Sequence, residues 1–344
     1  MDLKSSGLTP QEVQPVKDAA WPAVRRDFGV LLLNMGGPDS LDGIEDYLRE
    51  LFSDRDMIRL PLGKLYQNSL ARFIAARRAP KVRERYAAIG GGSPLAGITR
   101  RQAAALQREL GRPVDYGMRY SGPRTAKAVT GLSRAGIERL VVLPLYPQFS
   151  HTTTGSALAE LDRCGAGVPV TVIRDHHDDP GYIAAMAEGL RPYLEAWPGW
   201  DTARVLFVAH SLPLKYVRRG DSYVDQTRRT VALVARAAGM PDAGWRLAFS
   251  SRVGPVRWQG PSLEESLARL AAEATRHLVV VPVSFVAENL ETLWDLDVVF
   301  REQCAAAGIP SFRRVSTLGD SPLYIEALAR LARQAGEKKE MANG

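Results

Sequence analysis

With 344 residues, 45% of them apolar and 24% charged, the chain can bury one large α/β core or two of ordinary size, and it is a poor fit to a disordered or fibrous protein. No run of about 18 apolar residues occurs, so a membrane-spanning helix is not expected, and the two cysteines, Cys164 and Cys304, stand in no paired motif that would signal a disulfide framework. The formal charge of +7 is uneven: Lys64, Arg72, Arg77, Arg78, Lys81, Arg83 and Arg85 face Glu84 alone, either as a solvated helix face or as an attraction for an anionic ligand or surface, while no zinc-finger, RRM or helix-turn-helix signature points to nucleic acid.

Residues 1–27 mix polar and charged side chains and lack the apolar core of a secretory signal. They read as an exposed arm with a short helix near Pro15 to Val24, and the cytoplasm is the default compartment. A first strand is predicted from Gly29 to Leu33, followed by a helix-like stretch from Ser40 to Phe52. Further strands are predicted at Val114 to Tyr120, Arg139 to Tyr146 and Val168 to Ile173, with helices at Arg124 to Leu132 and Tyr182 to Glu195.

The pattern then restarts. Strands are predicted at Val205 to Ala209, Arg246 to Ser250, Leu278 to Phe285 and Phe312 to Val315. Helices are predicted at Ser222 to Ala238, Leu263 to Ala274, Glu291 to Ala307 and Leu323 to Glu337. Val30 to Leu33 echoes Val205 to Val208, and Leu140 to Leu145 echoes Leu278 to Val283. The expectation is an α/β protein of two similar lobes, each a mostly parallel Rossmann-like sheet flanked by helices, with a cleft between them. The lobes would span 28–197 and 198–338, joined near Trp197 to Thr202, with a flexible tail at 339–344.

In open α/β sheets, ligands gather beyond the carboxyl ends of the strands. That rule selects Asn34 and Met35, Tyr146 to Thr154, His210 and Ser211, and Asn289 with Glu291. His210, one of five histidines, suits a base or a metal ligand. Glu288 and Glu291 are three apart, so one can cap the helix while the other faces the cleft as a proton-relay or metal-handling partner. His176 and His177, adjacent in an extended segment, point to opposite faces and read as a polar loop. Gly90-Gly91-Gly92-Ser93-Pro94 is a turn without the lysine of a phosphate loop. Asn34-Met35-Gly36-Gly37 is not a dinucleotide fingerprint.

An ordered series of motifs from about Val30 to Leu331 resembles the ferrochelatase family. It comprises Leu33 to Pro38, Gly90 to Pro94, Tyr116 to Tyr120, Tyr146 to Ser150 with Thr153 to Gly155, and Ala209 to Pro213. It continues with Gly220 to Tyr223 and Gln226, Ser251 to Pro255, Trp258 to Pro261 and Glu291 to Trp294. The resemblance implies insertion of Fe2+ into a porphyrin, with His210 and Glu291 sharing catalysis and metal binding. It implies a pocket of Met35, Arg119, Tyr120, Tyr146, Ser150, Trp258 and Asn289. Residues 48–61, with Leu48, Arg55, Met57 and Ile58, resemble a flexible lip that in membrane-associated relatives contacts the bilayer. Transient contact with the preceding porphyrin-producing enzyme is a further implied partnership. Met35, where coproporphyrin-type relatives commonly have tyrosine, favours protoporphyrin IX as substrate. A coproporphyrin III enzyme, a cobalt or nickel chelatase and a non-catalytic porphyrin carrier are the alternatives.

Two departures from the family pattern stand out. Asn289 occupies a position usually held by histidine, and an amide does not titrate near neutrality. His151 stands where animal relatives have a cysteine that binds a [2Fe–2S] cluster, and two cysteines cannot supply four thiolates. No iron–sulfur cluster and no organic cofactor are therefore expected.

Overall fold

The computed structural model describes residues 24–58, 60, 63–196, 202–252, 254 and 256–337. The N-terminal arm up to residue 23, where a short helix was expected, the connector at 197–201, the tail, Arg59 and Pro61 of the expected lip, and Val253 and Pro255 lie outside the described residues.

The first sheet holds β1 (Gly29–Asn34), β2 (Val114–Met118), β3 (Leu140–Pro144) and β4 (Val170–Val172) in the order β2-β1-β3-β4. The second holds β5 (Ala203–His210), β6 (Trp245–Ser250), β7 (His277–Pro282) and β8 (Ser311–Arg314) in the order β6-β5-β7-β8. All pairings are parallel, with Val30 opposite Val114 and Val141 in one sheet and Val205 opposite Trp245 and Val279 in the other. The sequence echo is thus an echo of place: β1 and β5 are the equivalent inner strands, as are β3 and β7. Alternate residues supply the two faces of each strand. Val30, Leu32, Val205 and Phe207 enter one core shared by both lobes, while Leu31 and Leu33, or Leu206 and Val208, pack locally on the opposite faces. Each of these side chains contributes roughly 1.5–3 kcal/mol of burial.

The helices are α1 (Ile44–Ser53), α2 (Gln67–Ala88), α3 (Leu95–Leu110), α4 (Thr125–Arg134), α5 (Ser156–Cys164), α6 (Pro180–Glu195), α7 (Leu214–Val217), α8 (Tyr223–Ala237), α9 (Leu263–Ala272), α10 (Arg301–Ala306) and α11 (Pro322–Glu337). Among the described residues none is long and apolar enough to cross a membrane. Sequence periodicity missed α2 and α3. The buried stripe of α2 includes Ala71, Ala75 and Ala79, residues too small to stand out, and Pro80 lies inside the helix. The helix expected from Glu291 to Ala307 is π-helical over Glu291–Phe300 and α-helical only in α10. A second π-turn covers His151–Gly155.

The His176–His177 loop needs correcting. It is a turn, but His176 is buried rather than polar surface, packed on Tyr182 and Tyr324 with Nε2 3.3 Å from the Tyr324 hydroxyl. His177 turns to Asp175 at 2.7 Å.

Candidate active site

His210 is the last residue of β5. Its amide donates to Ser284 Oγ at 3.0 Å, and its carbonyl accepts from the Tyr223 hydroxyl at 3.0 Å, so the backbone that carries the imidazole is fixed from two sides. The side chain keeps 43% of its surface exposed, enough for a ligand to reach the free ring nitrogen. Its Nδ1 lies 3.0 Å from Glu291 Oε2.

Glu291 opens the π-helix. Its Oε2 also accepts from Ser251 Oγ at 2.5 Å and Ser250 Oγ at 3.3 Å. Ser251 holds a positive φ of 63°, a region costly for a residue with a Cβ, so the loop after β6 is strained where it presents this hydroxyl. Burial alone would raise the Glu291 pKa, but the His210 charge and the hydrogen bonds from His210, Ser251 and Ser250 reverse this and lower it. Burial likewise works against a charged His210, and the Glu291 carboxylate outweighs it and raises the imidazole pKa. The two groups hold each other in their charged forms.

Asn289 has a local role. Its Oδ1 accepts from the amides of Glu291 at 2.8 Å and Thr292 at 3.2 Å, and its Nδ2 donates to Ala287 O at 3.3 Å. It caps the turn that aims Glu291. Glu288, the other candidate of the pair, faces elsewhere: it accepts from Thr292 Oγ1 and Arg314, and Arg314 also forms two hydrogen bonds to Asp297.

The first-lobe candidates form a second group. Asn34, at the end of β1, is held by Thr99 and accepts from the Met35 amide, while Met35 O accepts from the Tyr120 amide at 2.9 Å. Arg119 and Tyr120 converge on Asp54 at 2.9 and 2.6 Å, joined there by a short bond from Ser156 Oγ. This buried knot ties Asp54, just past α1, to the end of β2 and the start of α5. Tyr120 also reaches Met57 Sδ at 3.3 Å, and Tyr216 of the second lobe donates to Met57 O at 3.4 Å. Gln67 clamps the lip from within, donating to Phe52 O and Ile58 O and accepting from Leu60 N. Leu48 is buried inside α1, and Arg55 and Ile58 are half-buried.

The structure therefore brings His210, Glu291 and Asn289 together in the second lobe and Met35, Arg119, Tyr120 and Met57 together in the first. Tyr146 and Trp258 are half-buried beyond β3 and in the loop after β6, where Trp258 bridges to Pro213. Ser150 is buried and donates to Asp221, which also accepts from the His151 amide and lies 3.2 Å from its Nδ1. That knot shapes a loop and leaves Ser150 no free hydroxyl for a ligand. Sequence reasoning overlooked Asp54, Ser251 and Asp295. The four-residue step from Glu291 to Asp295 was the available signal for one of them. Arg78, one of the basic run noted in the sequence, is half-buried over the Phe52 ring at 5.5 Å. Among the described residues no group of three His, Cys, Asp or Glu side chains is arranged to hold a metal ion, so a cation here would share His210 and Glu291 with another donor.

Comparison with known proteins agrees with this architecture. A sequence model of the Ferrochelatase family matches residues 27–336. The ferrochelatase of Nostoc punctiforme is 44% identical over 315 residues, covering 88% of this chain and 81% of its own. That of Gloeobacter violaceus is 43% identical over 317 residues, covering 89% and 96%. Among solved structures, SirB from Bacillus subtilis with Fe3+ superposes with a TM-score of 0.55 at 13% identity over 90% of this chain and 96% of its own, a likeness of fold alone. The two-lobed parallel architecture and a family match spanning nearly all the described residues lead to one conclusion: the chain belongs to the ferrochelatase family and is a ferrochelatase-type enzyme acting on a porphyrin with ferrous iron.

Proposed function

We propose that this enzyme inserts Fe2+ into protoporphyrin IX, releasing two protons and forming protohaem, the last step of haem biosynthesis. The observation that carries the reading is the His210–Glu291 pair at 3.0 Å, open to the cleft between the lobes. Metalation must remove two pyrrole protons and admit a dication. A deprotonated His210 can accept a proton, and the Glu291 carboxylate, held ionised by three donors, stabilises the imidazolium that forms or strips water from the metal. No organic cofactor is needed for this chemistry.

Substrate choice follows from the walls. Protoporphyrin presents two vinyl groups where coproporphyrin has two more propionates. Met35, Tyr146 and Trp258 offer flat or flexible apolar surface to such edges. Arg78, half-buried over the Phe52 ring, suits a propionate. Leu65, Tyr66 and Phe73, exposed by 84%, 51% and 64% beside the lip, support peripheral contact with a bilayer, from which an apolar porphyrin would be taken up.

The test is anaerobic ferrous insertion into protoporphyrin IX and coproporphyrin III, side by side, followed by porphyrin absorbance. Faster turnover of protoporphyrin is the expected result. A preference for coproporphyrin would overturn the substrate assignment, and binding of both without turnover would overturn the role given to His210 and Glu291.

A further inference from the structure

Arg314 closes β8 at the outer edge of the second sheet, opposite Val280 of β7. Its guanidinium engages two carboxylates at once. Nε and Nη2 donate to the two oxygens of Asp297 at 2.8 and 2.7 Å, and Nη1 donates to Glu288 Oε1 at 3.0 Å. The arginine side chain is 8% exposed, so the fork is fixed inside the protein and not displayed on its surface. Glu288 is held further by the Thr317 amide at 2.9 Å and Thr292 Oγ1 at 2.6 Å. Glu288 stands three residues before Glu291, and Asp297 stands six after it. One side chain from a strand therefore grips the chain on both flanks of the residue that faces His210, while its own hydrogen bonds go to neither His210 nor Glu291.

This grip bears on the helix register. A π-run of ten residues is unusual, because the i→i+5 ladder normally appears as a single-turn bulge. The buried side chains of the run, Thr292, Leu296 and Phe300, recur every four residues instead of alternating three and four as on an α-helix. If the stretch from Glu291 to Asp297 tightened to i→i+4, one end would rotate against the other by roughly a third of a turn. Asp297 is held by a two-pronged bond to a strand, so the rotation would fall on Glu291 and carry its carboxylate away from His210.

We propose that Arg314 is a positioning residue for metal insertion: by bracing Glu288 and Asp297 it holds the π-register that aims Glu291 at His210. Lysine cannot take its place, because a single ammonium lacks the rigid fork that spans two carboxylates. The inference rests on the reading of His210 and Glu291 as the insertion site.

The experiment compares wild type with Arg314→Lys, Asp297→Asn, Glu291→Gln and the double variant R314K/E291Q, assayed with Fe2+ under anaerobic conditions well below their melting temperatures. R314K should lower kcat about 10- to 100-fold, the range for a partner standing behind a reacting or metal-binding side chain, and leave the KM for protoporphyrin unchanged. The rising limb of kcat against pH should move to lower pH, as in E291Q, because the carboxylate that raises the His210 pKa has been turned away. D297N, which weakens the fork, should act in the same direction and less. In the E291Q background R314K should have no further effect on kcat. A lower melting temperature with kcat and the pH limb unchanged, or an R314K effect that persists in full with E291Q, would overturn the positioning role and leave Arg314 as a structural ion pair. The crystal structure of R314K gives a readout without turnover: Glu291 Oε2 should lie beyond hydrogen-bond reach of His210 Nδ1, and a preserved 3.0 Å contact would overturn the inference. If R314K does not fold, D297N replaces it under the same criteria. If the wild type metalates neither porphyrin, the insertion reading fails by itself, and the variant's crystal structure alone decides the role of Arg314.

Discussion

Ser251 shows how a single residue can trade backbone comfort for chemistry. Its positive φ costs about 1 kcal/mol, and its hydroxyl donates to Glu291 at 2.5 Å. Glycine at this position would relieve the strain and delete the donor. Ser251→Gly should therefore keep or raise the melting temperature while lowering kcat about tenfold, the value of a hydrogen bond to a charged group. Unchanged turnover would show that Glu291 does not depend on this donor. His210 gives a pH test. Its pKa is raised above the usual 6.5, first against burial and then by Glu291. A base works only when deprotonated, so turnover should climb with pH on a limb lying above 6.5. Glu291→Gln removes the carboxylate and leaves burial unopposed. Its residual activity, lower by about 10²-fold or more, should show that limb shifted to lower pH. A limb at the wild-type position would assign the titration to another group.

At the scale of the element, legibility followed side-chain bulk. Strands β3 and β7 are buried on both faces, so Leu140–Leu143 and Leu278–Val281 are continuous apolar runs visible without a structure. Strand-end position alone then selected His210 and Glu291. Helix α2 was hidden because its stripe is alanine. The π-register of Glu291–Phe300 was hidden because it is a choice of backbone hydrogen-bond partner, i→i+5 instead of i→i+4, that the residue types of so short a run do not signal. Asp54 and Ser251 were hidden because their roles depend on partners 65 and 40 residues away. The start of the π-helix is where an element-level change should be felt. Asn289→Ala removes acceptor bonds to two amides and should cost about 1 kcal/mol, with a loss of turnover as Glu291 loses its aim. Asn289→Asp, which keeps the acceptor, should restore stability in chemical denaturation. Close approach provides a second case. A Cβ on Gly117 of β2 would stand 2.7 Å from the Thr125 Cα at the start of α4, so Gly117→Ala should lose about 1–3 kcal/mol in urea titration.

For the whole molecule, acid sensitivity should trace to His176. Burial holds its pKa down at about 4, against the usual 6.5. The unfolded chain takes up that proton as the pH falls below 6.5, while the folded chain does so only near 4. Stability is therefore full above 6.5 and declines between those values, by up to roughly 3 kcal/mol. His176→Phe should flatten this part of the urea midpoint against pH, and an unaltered slope would move the effect elsewhere. Helix α11 has a different global consequence. It is the last element of the chain, yet Tyr324 stacks near Tyr182 of α6, Arg333 pairs with Glu109 of α3, and Gly336 lies against the Phe28 ring just before β1. The final helix thus roofs the part of the sheet made first. During vectorial synthesis β1 to β4 can pair early and α3 can pack on β1 and β2, but the part of that layer that α11 covers stays open until some 150 further residues have emerged, which at 5–20 residues per second is about 8 to 30 seconds. For that interval the nascent protein presents a sticky, half-built layer, the stage at which a chaperone would engage it and at which a ribosome stalled before α11 would leave an aggregation-prone fragment.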